Sequence, residues 1–359
     1  MSTEISAASL PLTAGAAFVA AGREQASWTI GSGTIAKTLA WDKGKGLHLA
    51  ALTHRTTGYA WSPDLTTGEH AGGEFVLAWE EPLAQTAGEP APAPILFSGR
   101  SATVLRDVHA TVDQEAQTAT LAFDLRLEAP GTRLDVTLHC KAASANGVIE
   151  QWLTVSPLRA GTISRVAPLS ISAGGLPEPV AHWVRGIQNH GHYMPRSGPY
   201  PAYQLRHAAL GPGEVLHLES GLRSTWHELP WLALDGNPDG LATGGQPGSE
   251  GFFAGLLYSG RWSAEVDAAG AAPGTAMPGE TAACITLTLT TEGYATPLAA
   301  GVPWRSPSAF CGVYAGDLDD AAAVQHQYMR SAVLPRTGGD FPWVQYNSWF
   351  AHLVDIDET

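Results

Sequence analysis

The chain has 359 residues, more than one typical domain yet within reach of one large all-β unit. Hydrophobic residues make up 44%, enough for a real core and against global disorder. With 34 acids and 20 bases the net charge is −14, and no basic patch appears, so no nucleic-acid partner is expected.

The amino terminus, MSTEISAASLPLTAG, lacks the basic segment of a signal peptide. The apolar run from Ala14 to Ala21 is too short for a membrane span and is followed by Arg23 and Glu24. No membrane partner is expected, and the cytoplasm is the default compartment.

Strand patterns dominate the first 300 residues. Candidate strands are Thr34–Trp41, Leu47–Thr53 and Phe75–Glu80, followed by an Ala/Pro-rich loop from Ala84 to Pro94. Leu121, Phe123, Leu125 and Leu127 alternate with Ala122, Asp124, Arg126 and Glu128. Leu134, Val136 and Leu138 alternate with Asp135, Thr137 and His139. Period-two alternation places one face on a core, and Pro130-Gly131 supplies a turn between these two strands. Further strands are expected at Val148–Val155, Glu214–Glu219, Phe252–Tyr258 and Ile285–Leu289, with an irregular Gly-rich loop over Asp235–Gly251. The 40 glycines and 25 prolines supply the turns that so many strands require. Cys140, Cys284 and Cys311 are far apart and odd in number. Buried free thiols are expected, with no disulfide framework, no zinc site and no cofactor.

The character changes at Gly316. Asp317 can cap a helix running to Leu334, with Leu318, Ala321, Ala322, Tyr328, Met329 and Ala332 at helical spacing. Such a helix is about 25 Å long, enough to bridge two domains. The run Phe341-Pro-Trp-Val-Gln-Tyr-Asn-Ser-Trp349 follows, aromatic and nearly continuous rather than cleanly alternating, as in a parallel barrel strand buried on both faces. One such strand cannot satisfy its own ladder, so a partner domain is expected.

This order, with the motifs FPWVQYNSWFAHLVDID, GDLDDAAAVQHQYMR and GFFAGLLYSGRWSAEV, resembles the family 36 glycoside hydrolases, the melibiases or α-galactosidases. The barrel-strand match is carried by Pro342, Val344, Asn347, Trp349, Ala351 and Asp355. Trp343 is inserted after Pro342, and Phe350 stands where many members carry Glu. The resemblance implies a mainly β fold: a large antiparallel, mutarotase-like β-supersandwich over 1–315, a linker helix over 316–339, and the first strand of a (β/α)₈ barrel over 340–359. It implies a retaining hydrolase of terminal α-galactosides. Its two carboxylates would lie roughly 5 Å apart, on later barrel strands beyond residue 359. No catalytic residue is assigned within the chain.

The resemblance also places Trp349 in the sugar subsite, where an indole packs on a pyranose C–H face. Barrel-core packing is the competing reading. Asn347 would orient substrate or a neighbouring carboxylate, against a structural contact at the barrel mouth. Trp226 and His227, next to Glu228, match a polar loop near the active site in relatives, against domain-edge packing. His182, His190, His192 and His207 cluster with Tyr193, Tyr200 and Tyr203, but no carboxylate accompanies them at regular spacing, and no metal is expected. Two other readings compete. One is a stand-alone carbohydrate-binding or aldose mutarotase-like sandwich using a histidine with a carboxylate. The other is a structural module for homo-oligomerisation and barrel support. The expected partner is an α-galactoside oligosaccharide.

Overall fold

The computed structural model describes residues 2–6, 10–22, 26–63, 65, 72–81, 93–176, 179–186, 204–221, 224–235, 250–269, 283–292 and 295–334. The strands among the described residues form three sheets of 11, 7 and 6 strands. The pairing is antiparallel throughout, as in the long hairpin of Thr118–Ala129 with Thr132–Ala143.

In the largest sheet the spatial order runs Ser2–Ser6, Ala102–Asp113, Thr118–Ala129, Thr132–Ala143, Val148–Pro157, Ser308–Ala315, Glu250–Leu257, Glu228–Asp235, Val180–Arg185 and Leu205–Ala209. The short Trp304–Arg305 also pairs with Val148–Pro157. The second sheet is built on Gly161–Leu176, flanked by Ala283–Thr291 and Glu74–Glu80. The third and smallest is amino-terminal and includes Ser27–Gly31, Ile35–Asp42 and Gly46–His54.

Alternation explains why these layers stack. Leu121, Phe123, Leu125 and Leu127 lie opposite Cys140, Leu138, Val136 and Leu134, and all eight are buried. Their neighbours Asp124 and Arg126 pair with Thr137 and Asp135 on the other face. The hairpin turns at Pro130-Gly131, with Gly131 at φ +82°, where a side chain would be strained. Inward residues of all three sheets, among them Leu39, Leu49, Leu77, Phe123, Ile171 and Leu287, merge into one hydrophobic core. Each fully buried Leu or Phe side chain contributes about 1.5–3 kcal/mol relative to exposure. Trp28 meets Phe123 edge-on at 5.5 Å and ties the smallest sheet to the largest. Cys140, Cys284 and Cys311 are buried free thiols within strands, as their apolar surroundings suggest.

The expected helix is present as Leu318–Tyr328, continued by a π-helical turn at Met329–Val333. Asp317 Oδ1 accepts from the Asp319 and Asp320 backbone N–H at 2.9 and 3.2 Å, and Asp320 Oδ2 accepts from Asp317 N–H at 3.1 Å. The two carboxylates thus cap the helix start reciprocally. Leu318, Ala321 and Tyr328 are buried as their spacing predicts, whereas Ala332 is exposed. The π-helical turn closes with Leu334 N–H donating to Met329 O at 2.8 Å. That wider turn shifts the helical phase, so Val333 packs inward in place of Ala332.

Among the described residues no helix is long and apolar enough to cross a membrane. The Gly-rich stretch between Asp235 and Glu250, most of the Ala84–Pro94 segment and the expected barrel strand over 340–359 lie outside the described residues.

Candidate functional site

Trp226, His227 and Glu228 sit where the chain crosses from the second sheet to the largest. Val215–Ser220 ends, a turn follows, and Glu228–Asp235 begins. Ser220 Oγ accepts from the backbone N–H of Trp226 at 3.2 Å and of His227 at 3.3 Å. His227 Nδ1 accepts from Gly221 N–H at 3.3 Å, which leaves the ring proton on Nε2 as a donor. The Gly186 N–H donates to His227 O at 2.7 Å, and Trp262 Nε1–H to Ser224 O at 2.7 Å. The corner is therefore held by its backbone groups together with the Ser220 hydroxyl and the His227 ring, and the Trp226 and His227 side chains are half-buried.

Glu228 stands opposite Arg185 in the sheet. Partial burial pushes its carboxyl above the ordinary range, while the Arg185 and Arg206 charges pull it back. Its Oε2 is buried, and the Trp183 side chain adds to the downward pull on the carboxyl. The corner places an indole, an imidazole and a carboxyl at consecutive positions of the chain. It holds one carboxyl and not the pair that a retaining hydrolase requires.

His182 does acquire a carboxylate, but one that the sequence spacing hides. Its Nε2 lies 3.1 Å from Asp235 Oδ1, and Tyr314 Oη–H donates to Asp235 Oδ2 at 2.9 Å. All three side chains are nearly inaccessible. Burial, followed by the adjacent Asp235 charge, holds the Tyr314 hydroxyl well above its ordinary pKa. His207 lies opposite His182 with the rings 6.2 Å apart. A second, partly buried pair, His54 Nδ1 with Glu250 Oε2 at 3.0 Å, sits at the start of the strand Glu250–Leu257. These partners are separated by 53 to 196 residues, and no local pattern marks them. Among the described residues no group of three His, Cys, Asp or Glu side chains could hold a metal. Burial pushes Cys140 up to about 12 and Cys311 up to about 11, so neither is a ready thiolate nucleophile.

Trp349 and Asn347, the expected sugar contacts, lie outside the described residues, as do His190, His192, Tyr193, Tyr200 and Tyr203.

The segment GFFAGLLYSGRWSAEV has a structural explanation. Gly251, Phe253 and Gly255 face Tyr314, Gly312 and Phe310 across the ladder. Each glycine lies under the aromatic ring opposite it, and a Cβ there would run into that ring. The resulting aromatic platform, extended by Trp231, is the seat of the helix, whose Tyr328 ring lies 5.1 Å from Phe310.

No family model matches the sequence, and no curated protein matches it. Solved structures do match. The galactosidase domain of the α-galactosidase–sucrose kinase AgaSK is 15% identical, with a TM-score of 0.59, over 87% of this chain and 43% of its own. The α-galactosidase AgaA of Geobacillus stearothermophilus is 13% identical, with a TM-score of 0.59, over 92% of this chain and 46% of its own. The fold is that of the family 36 α-galactosidases. A variant of AgaA solved in complex with raffinose matches with a TM-score of 0.53 at 13% identity, over 84% of this chain and 42% of its own. The chain spans less than half the length of these enzymes.

Proposed function

We propose that residues 1–359 form the non-catalytic front portion of an α-galactosidase-like retaining glycoside hydrolase acting on terminal α-galactosides, with its catalytic carboxylates beyond residue 359. The observation that carries this reading is the match across most of this chain to less than half of each α-galactosidase. Residues 1–315 would be the supersandwich, 316–339 the linker helix and 340–359 the opening of the barrel. Trp349 and Asn347 would contact sugar at the barrel mouth, with Trp226 and His227 approaching from the sandwich edge. Raffinose in a complex of a related enzyme supports an α-galactoside oligosaccharide as the ligand of the complete protein. The sandwich would also support the barrel and subunit association.

The test is turnover of a nitrophenyl α-galactoside by purified residues 1–359. No turnover is expected, and strong activity would overturn the placement of the carboxylates. Calorimetry with galactose separates this reading from a stand-alone binding module, which requires saturable binding by the isolated chain.

A further inference from the structure

The three sheets meet at one buried polar cluster. Lys37 comes from Ile35–Asp42 in the smallest sheet, Glu74 from Glu74–Glu80 in the second, and Gln151 from Val148–Pro157 in the largest. All three are fully buried. Lys37 Nζ pairs with the Glu74 carboxylate and donates to Gln151 Oε1 at 2.8 Å. Gln151 Nε2 donates to Glu74 O at 2.9 Å and to Pro168 O at 2.8 Å. The thiol of Cys140 lies 3.5 Å from Gln151 Oε1. Glu74 holds this position at φ +67°, in the left-handed region that a non-glycine residue rarely adopts.

Stability alone gives no reason for this arrangement. Two buried charges lose their hydration, and apolar residues of similar volume are commonly neutral or stabilising in their place. Specificity gives one. Apolar faces slide over one another at little cost, whereas a lysine that finds both its carboxylate and its amide in only one docking excludes the others. Gln151 shares its strand with residues that pair directly with Ser308–Ala315, the strand leading into the linker helix.

We propose that Lys37, Glu74 and Gln151 act as a three-way key that selects a single docking of the amino-terminal sheet on the two larger sheets. The lysine carries the key, the carboxylate fixes it to the second sheet, and the amide fixes it to the strand next to the one that leads into the helix. The volume-matched double variant Lys37→Met/Glu74→Leu removes the charges together.

Expected is a cooperative melt near that of the wild type. Amide exchange in Ile35–Asp42 and Gly46–His54 should then be faster by about tenfold or more, with more than one resonance set for these strands. Wild-type exchange and a single resonance set in the double variant would overturn the proposal. Should that variant fail to fold, native-state exchange on the unaltered chain decides. The amides of Lys37, Phe75 and Gln151 should open as one cooperative unit. Independent, earlier opening of the Lys37 strand would refute the key.

Discussion

The outward face of the largest sheet has two halves that obey the same backbone rule and do opposite things. Over Ala102–Asp113, Thr118–Ala129 and Thr132–Ala143 it carries His109, Asp124, Arg126, Asp135, Thr137 and His139, joined by cross-strand hydrogen bonds. Over Glu250–Leu257 and Ser308–Ala315 it carries Phe253, Phe310 and Tyr314 lying on glycines, sealed beneath the helix Leu318–Tyr328. The first half is a surface. The second is a small core of its own, separate from the main one. A sheet becomes buried on both faces where its sequence stops alternating, and that is where the next element docks.

Truncation on the platform should therefore behave as a core mutation. Phe310→Ala is expected to cost about 3–5 kcal/mol by chemical denaturation, because Phe310 is 3% exposed and lies under Tyr328. A loss below about 1 kcal/mol would show that the helix does not seal the platform. The converse change comes next. Gly312→Ala places a methyl group against the Phe253 ring and should cost about 1–3 kcal/mol through overpacking. Phe253→Leu in the same background should recover part of that loss.

The polar half was legible in the sequence because alternation is a local signal, and the hairpin around Pro130-Gly131 forms where it was expected. The helix was equally legible from Asp317 and the spacing of Leu318, Ala321 and Tyr328. Its π-helical turn was not, since that depends on how Met329 and Val333 meet the sheet. The platform motif was visible as a family-like segment, but its cause was not. The glycine–aromatic pairing joins residues about 60 positions apart. The Lys37–Glu74–Gln151 cluster was equally hidden, since a lysine in an apolar strand looks locally like an edge residue. At the candidate corner, Trp226, His227 and Glu228 could be singled out from the sequence, whereas Arg185 and Arg206, whose charges the sheet brings to bear on Glu228, could not.

The polar half should also show a pH dependence that the platform lacks. His139 stacks on Trp152, with ring centroids 5.0 Å apart, and its Nε2 lies 3.1 Å from Thr154 Oγ1. Burial lowers its pKa from 6.5 to about 4. Asp124 opposes the shift, and the Arg305 and His109 charges add to it. The unfolded chain then binds this proton near pH 6.5 while the folded chain resists it until about pH 4. Stability from this group is complete above pH 6.5, declines as pH falls and is fully lost below about 4. Melting temperatures of His139→Gln should fall less steeply across that window than those of the wild type. Parallel curves would remove His139 as a contributor.

The smallest effect is expected at Arg106, and it tests the comparison from the other side. Arg106 Nη1 donates to Asp135 Oδ2 at 2.9 Å, while Arg126 Nε donates to Asp135 Oδ1 at 3.0 Å. The carboxylate therefore keeps a guanidinium partner when Arg106 is removed. Arg106 is 42% exposed, so water replaces much of what its side chain loses. Arg106→Ala should cost no more than about 1 kcal/mol, less still at high salt. Arg126→Ala should cost somewhat more, since Arg126 is 23% exposed and faces Asp135 directly across the ladder. If Arg106→Ala matched Phe310→Ala, the polar half would have to be a covered interface, and the contrast between the two halves of the face would fail.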